Sequence, residues 1–428
     1  MNSSLQSPTQ PVRLSRRGHW TSSDPPISQL MSTALARPEL ISLAAGFVDP
    51  LTLPCEGVRA AVDQVLGDPR LGPIALQYGT THGYQPLREQ LIDRLAHADG
   101  QVPRLGVERC ILTAGSNQLL QLVADALLDE GDIVLCAAPT YLVFLGTIAG
   151  VGATSWSVAA DERGMIPSAL EEALDQLKQA GQLDRVKAVY CVSYFDNPSG
   201  SEMDASRREE IDQIVLRYST DGKIYLIDDL AYRDLRYEGE DVPSFASLDH
   251  AGDHVIVAGT FSKSFAPGVR VGWGLLPKEL CDSVARLKGN ADFGSPHLNQ
   301  LVVHHALQSG LHDQHVRTLR EAYTEKRDAM LASLERCFAG RSEVRWLHPR
   351  GGLYVWLTLP EGVDAGPSGR LLDAAIERDV LYVPGEYAYA TRGAAVARNT
   401  IRLSFGVQTP ARIEQGIERL AQAVAAVS

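Results

Sequence analysis

The run Val255-Ile-Val-Ala258-Gly-Thr260-Phe-Ser262-Lys263-Ser-Phe-Ala-Pro-Gly-Val-Arg270 decides how the rest of the chain is read. Val255–Ala258 is apolar without alternation, the pattern of a strand covered on both faces, as in parallel sheets. Lys263 follows that strand directly. It therefore stands at the carboxyl end, where α/β sheets gather their ligands. Thr260 and Ser262 beside it, with Arg270 further on, offer donors for phosphate oxygens, which a guanidinium fork matches well. Taken alone, a lysine after a strand is more often a solvated surface charge.

Outward from this run, strand and helix signals alternate. Strand-like runs are Cys110–Thr113, Ile133–Cys136, Thr154–Val158, Val186–Val192, Ile224–Ile227 and Val269–Leu275. Asn117–Leu128 reads as a largely buried helix. Ser206–Tyr218 reads as an amphipathic one, with Ser206 and Glu209 as a capping box. The predicted class is α/β, with a mostly parallel central sheet. The last third changes character. Val316, Leu319, Tyr323, Met330, Leu334 and Phe338 stripe one long helix. Strand-like Gly352–Leu357 and Thr400–Leu403 follow, and Thr409-Pro410 opens a final helix. The expected organisation is an N-terminal arm over residues 1–40, a large domain over 41–300, and a smaller α+β C-terminal domain over 301–428.

Three more strand ends carry polar clusters. Ala114-Gly-Ser116-Asn117 joins a strand to a helix, where free N–H groups and the helix dipole favour an anion; a plain junction with Ser or Asn as N-cap explains it equally well. Asp196-Asn197-Pro198-Ser199-Gly200 contains turn formers and reads as a turn on its own. Asp228-Asp229 closes an apolar strand, and two buried acids are costly unless a cation or proton donor meets them. Neighbours on a strand point to opposite faces, so only one of the two faces any given ligand. Each cluster is weak singly. Jointly they place four sheet loops at one crevice.

Composition sets bounds. A chain of 428 residues with 45% hydrophobic and 21% charged residues is ordinary for a globular protein, and its length favours two domains. A net charge of -12 opposes a nucleic-acid role. No apolar stretch is long enough to span a bilayer. The polar start Met1–Gln10, and Arg13, Arg16 and Arg17 with no hydrophobic run behind them, lack the form of a secretory signal and read as a flexible arm. Six scattered cysteines form no CxxC pair, so zinc is not indicated and reduced cysteines in a cytoplasmic protein are expected.

The ordered set Ser42-Leu-Ala-Ala-Gly46, Gln77-Tyr78-Gly79, Gly115-Ser116-Asn117-Gln118, Pro139-Thr-Tyr141, Asn197-Pro198-Ser199-Gly200, Asp229-Leu-Ala-Tyr232, Ser262-Lys263, Arg270 and Asn399-Thr-Ile-Arg402 resembles the class I/II aminotransferases. Within them it is most similar to the branch of kynurenine/2-aminoadipate aminotransferases and MocR-like proteins. The resemblance runs from about Leu40 to the C-terminus. It implies the transferase fold of type I built around pyridoxal 5′-phosphate (PLP), with Lys263 forming the Schiff base and then serving as acid/base. It implies Asp229 against the ring nitrogen, Asn197 and Tyr232 on the phenolic oxygen, and Tyr141 stacked on the ring. Ser116, Asn117, Thr260, Ser262 and Arg270 would hold the phosphate, with Tyr78 reaching it from the other subunit of a homodimer. Arg402, with Asn197 and Gly46, would bind the α-carboxylate of an amino acid or 2-oxo acid (2-oxoglutarate or pyruvate).

Ala45, Asp196, Ser199 and Glu386 depart from the family pattern near the substrate rather than the cofactor. Phe144, Leu145, Tyr354, Tyr387 and Tyr389 are candidates either for a side-chain pocket or for core. PLP frames also run eliminations, decarboxylations and ring closures, which remain the enzymatic alternative. A truncated MocR-type regulator would need a DNA-binding domain that residues 1–40 are too short to supply.

Overall fold

Cys110–Thr113 (β1), Ile133–Ala138 (β2), Thr154–Asp161 (β3), Val186–Cys191 (β4), Tyr225–Asp229 (β5), Val255–Thr260 (β6) and Gly272–Leu275 (β7) form the body of the main sheet. Their order across it is β3-β2-β4-β5-β6-β7-β1, with the short strand Arg392–Gly393 on the β3 edge. Strands β3, β2, β4, β5 and β6 run parallel, while β7 is antiparallel to both β6 and β1. The carboxyl ends of β1, β2, β4, β5 and β6 therefore share one edge, together with the amino end of β7. Thr260 and Thr113 both pair with Gly272, which seats Arg270 between the β6 and β1 loops. Helices cover the sheet, so its central strands are mostly apolar and β1 is buried at every position.

The computed structural model describes residues 12–20, 26–101, 106–220, 222–248 and 251–427. A second sheet, in the order Arg345–Trp346 (β8), Tyr354–Thr358 (β9), Thr400–Ser404 (β11), Val383–Pro384 (β10), is antiparallel, and its buried residues share a core with the helices Leu311–Phe338 and Pro410–Val427, which pack on each other. The short strand Ile41–Ser42 pairs in parallel with Val380–Leu381, so the segment expected to open the large domain is tied to the C-terminal unit. Residue 300, expected to end the large domain, lies inside the helix His297–Gln308.

Several local expectations differ from the structure. The helix of the 205–218 region begins at Ala205 and is capped by Asp204, which accepts from the Arg207 amide at 3.0 Å; Ser206 is one residue inside, and no capping box forms. An aspartate two residues upstream of Ser206 wins because its carboxylate reaches the free amides of the first turn with a full charge. The strand predicted from Val269 starts at Gly272, since Pro267–Val269 makes a 3-10 turn. In the arm, Met1–Gln10 lies outside the described residues, but Arg16–Trp20 is helical and docked: Arg16 and Arg17 pair with Glu130 and Asp125. Pro26 opens the helix Pro26–Ala36 as its first residue, where no amide is needed.

Candidate active site

The helix Ser116–Leu127 (α1) follows β1 after a single bend. Gly115 is its N-cap at φ 87°, and a Cβ there would lie 2.6 Å from Nη2 of Arg270. Glycine is needed twice over, for the left-handed backbone and for the guanidinium's approach. The expected Ser or Asn cap is therefore displaced: Ser116 is the first helical residue and its amide, with those after it, points at the crevice. Arg270 itself sits at φ 50° and anchors its guanidinium on the carbonyls of Ala114 (2.8 Å) and Pro267 (3.2 Å). A non-glycine residue held left-handed is strain that the surrounding contacts must sustain. Thr260 Oγ1 donates to Ser262 Oγ at 3.0 Å, so hydroxyls, helix amides and one guanidinium converge where an anion would be welcome.

At the end of β5 the two acids part company. Asp228 turns away, accepting from Ser193 and from the Phe245 amide near Arg208. Asp229 faces the crevice, accepting from Tyr190 Oη at 2.9 Å and the Ala231 amide at 3.1 Å. Burial raises Asp229 to about 6, since those donors offset the lost hydration only in part. Lys263 Nζ donates to the Gly46 carbonyl at 2.7 Å. Burial, with Arg402 and Arg270 adding positive potential, depresses its pKa below the ordinary lysine range.

Arg402, from β11 of the smaller sheet, donates to Asn197 Oδ1 at 2.8 Å and to the Ala44 carbonyl at 2.7 Å. Its Nε is buried without a partner. Asn197 Nδ2 in turn donates to Tyr232 Oη at 3.2 Å. Tyr141 Oη donates to Asn117 Oδ1 at 3.3 Å, and burial lifts the phenol to about 12.

Gly46, Ser116, Asn117, Tyr141, Asn197, Asp229, Tyr232, Thr260, Ser262, Lys263, Arg270 and Arg402 thus line one cavity of about 380 Å³. Tyr78 does not: it is 79% exposed, its ring edge-on to Phe293 at 5.5 Å. Of the side-chain candidates only Tyr354 reaches the cavity; Phe144 is core, packed on Tyr190, and Leu145, Tyr387 and Tyr389 lie elsewhere. Sequence reasoning missed Phe47, Leu142, Val143 and Val192 in the walls, and Tyr190 behind Asp229. A tyrosine inside an otherwise aliphatic buried strand was the available signal, because its hydroxyl must find a partner.

PLP fits this donor set. A dianion end finds the α1 amides, hydroxyls and Arg270; a cationic ring N–H finds Asp229, a buried acid with no cation against it; the lysine stands between them. The sequence profile described as aminotransferase class I and II matches residues 38–420. The aromatic-amino-acid aminotransferase 1 of Thermococcus litoralis is 34% identical over 90% of this chain and 88% of its own. The 2-aminoadipate transaminase of Thermus thermophilus is 33% identical over 91% of each. The kynurenine aminotransferase of Pyrococcus horikoshii, solved in complex with PMP, superposes with a TM-score of 0.88 at 33% identity, covering 96% of this chain and 97% of that one.

Proposed function

Since the chain belongs to the class I and II aminotransferases and is a PLP-dependent transaminase, we propose that Lys263, Asp229 and Arg402 carry its chemistry, on a large apolar or aromatic amino acid as donor. The observation that carries this is their meeting in one cavity from three separate elements, with the lysine depressed and the acid raised. Bound PLP supplies an aldehyde that condenses with amines and a ring that accepts electrons from Cα.

Ser116, Asn117, Thr260, Ser262 and Arg270 hold the phosphate. Asp229 keeps the ring nitrogen protonated through a charge-assisted hydrogen bond. Asn197 and Tyr232 address the phenolic oxygen, and Tyr141 covers a ring face. Lys263 Nζ would bond to the cofactor and, as a free amine, would take the proton from Cα. A buried amine between two guanidinium groups is neutral more of the time, as that base must be. Arg402 grips the α-carboxylate, its idle Nε being a ready donor, beside Asn197 and Gly46.

Among the described residues, the cations lining the cavity are Lys263, Arg270 and Arg402, all engaged by these roles. Phe47, Leu142, Val143 and Tyr354 add apolar and aromatic surface that suits such a donor side chain. The acceptor we propose is 2-oxoglutarate or pyruvate. We also propose a cytoplasmic homodimer: Leu51, Leu76, Tyr78 and Phe293 are each more than half exposed, an apolar surface that a second copy would cover, bringing Tyr78 to the partner's phosphate. Among the described residues no helix is long and apolar enough to cross a membrane. The division into arm, large and small domains stands as our reading, with the second boundary moved to the end of His297–Gln308.

Borohydride reduction of the PLP-loaded protein followed by peptide mass spectrometry tests the assignment. The adduct is expected on the peptide containing Lys263; an adduct elsewhere, or none, overturns it. Bleaching of the cofactor's visible band by a panel of amino acids, and its return with a 2-oxo acid, identifies the donor.

A further inference from the structure

Tyr354 lies in β9 and is 1% exposed; the assignment above uses it only as aromatic wall and gives its hydroxyl no part. Its surroundings are specific. Its hydroxyl is 3.2 Å from Tyr232 Oη, and the two rings meet edge to face with centroids 5.7 Å apart. The Arg402 guanidinium sits over its ring, with Cζ 4.4 Å from the centroid. A Cβ on Gly46 would come within 2.7 Å of the same hydroxyl, so the glycine leaves the space that the hydroxyl fills.

The donors around Tyr232 set a direction. Asn197 Nδ2 has no acceptor role, so it donates to Tyr232 Oη. When the Tyr354 hydroxyl donates to that oxygen as well, the Tyr232 proton is left to point into the cavity. An oxygen accepting two hydrogen bonds gives a more polarised O–H, which is a stronger donor. The ring of Tyr354, meanwhile, offers its negative face to Arg402.

Resting on the reading that Tyr232 addresses the cofactor's phenolic oxygen, we infer that Tyr354 is a positioning residue with two separable functions. Its hydroxyl strengthens Tyr232 as a donor to the cofactor, and its ring fixes the Arg402 guanidinium that receives the substrate carboxylate. The relay Arg402–Asn197–Tyr232–Tyr354 closes on itself through the stacked guanidinium, so the carboxylate site and the phenolic-oxygen site share one rigid ring of contacts.

Tyr354→Phe keeps the ring and removes the hydroxyl. A weaker donor leaves the phenolic oxygen's negative charge more available to the adjacent protonated nitrogen. The pH midpoint of the bound cofactor's visible absorption therefore moves up by about half a unit to one unit, the worth of a neutral hydrogen bond. kcat falls by about three- to tenfold, and KM for the amino acid stays at the wild-type value. Tyr354→Leu removes the ring too and raises KM by about threefold or more. In a Tyr232→Phe background the Tyr354→Phe shift is expected to vanish, as coupling through that hydroxyl requires. A midpoint unchanged in Tyr354→Phe, or a shift that persists undiminished without the Tyr232 hydroxyl, overturns the inference. Gly46→Ala crowds the same hydroxyl from the other side. It should shift the midpoint in the same direction, and keeps the question decidable if Tyr354→Phe does not fold. Borohydride trapping on Lys263 in the same preparations separates the two levels: an adduct there with no Tyr354 effect sinks this inference alone, while its absence sinks the assignment beneath it.

Discussion

Asp229 is an acid held where an acid is costly. Burial raises it to about 6 while no cation among the described residues pairs with it, and a cationic ring N–H reverses the balance in favour of the carboxylate. Binding must then expel a proton wherever the free protein holds one. The Asp229 contribution to PLP affinity is therefore expected to rise with pH up to about 6 and level off above it, giving a component of the buffer-dependent heat of binding on the acid side. Calorimetry in two buffers of different ionisation enthalpy measures this. Asp229→Asn should remove the step and lower kcat by about 10²- to 10³-fold. An acid-side step persisting in Asp229→Asn would move the proton to Asp196, which burial raises to about 7. At this scale the sequence was informative where a polar residue ended an apolar strand, as with Lys263 and Asp229. It was weaker for Tyr354, which read equally as pocket or core, and for Tyr190, whose only sign was a hydroxyl inside a buried run; the partners of those hydroxyls decide both.

Elements explain why those residues converge. Strand ends were legible because continuous apolar runs can only be buried strands or helices, and their lengths excluded helices. What the runs did not reveal was the antiparallel excursion of β7, which carries Arg270 back to the β1–α1 bend. Nor did they show that the bend, rather than a side chain, caps α1. Two substitutions separate structure from site. Gly115→Ala imposes a left-handed alanine and pushes against Arg270; it should cost about 1–2 kcal/mol in urea unfolding and also weaken PLP binding. Asp204→Ala removes a cap remote from the cavity. It should cost about 0.5–2 kcal/mol, as loss of an N-cap does, with kcat/KM unchanged. Equal losses of cofactor affinity in both would mean that α1's bend has no special part in holding phosphate.

At the scale of the whole molecule, the cavity belongs to neither sheet alone. Arg402 comes from β11, Asn197 and Asp229 from the main sheet's edge, and Ala44 and Gly46 from the segment tied to the C-terminal unit by Ile41–Ser42. The long helix Leu311–Phe338 stitches these parts: Lys326 pairs with Asp49 at 2.6 Å, while His312 contacts Ser264 beside the lysine. One proposed member is still missing from any single chain. Tyr78 stands outside the cavity of its own protomer and exposed, so if it serves a phosphate it serves the partner's. Mixed dimers of Tyr78→Ala and Lys263→Ala chains decide this. Each parent has at most weak activity, but the hybrid contains one site with an intact lysine and, donated across the interface, an intact tyrosine. Activity approaching half that of wild type per hybrid dimer is the expected result. If Tyr78 acted within its own chain, the only lysine in the hybrid would sit beside a mutated tyrosine, and the hybrid would be no better than the Tyr78→Ala parent.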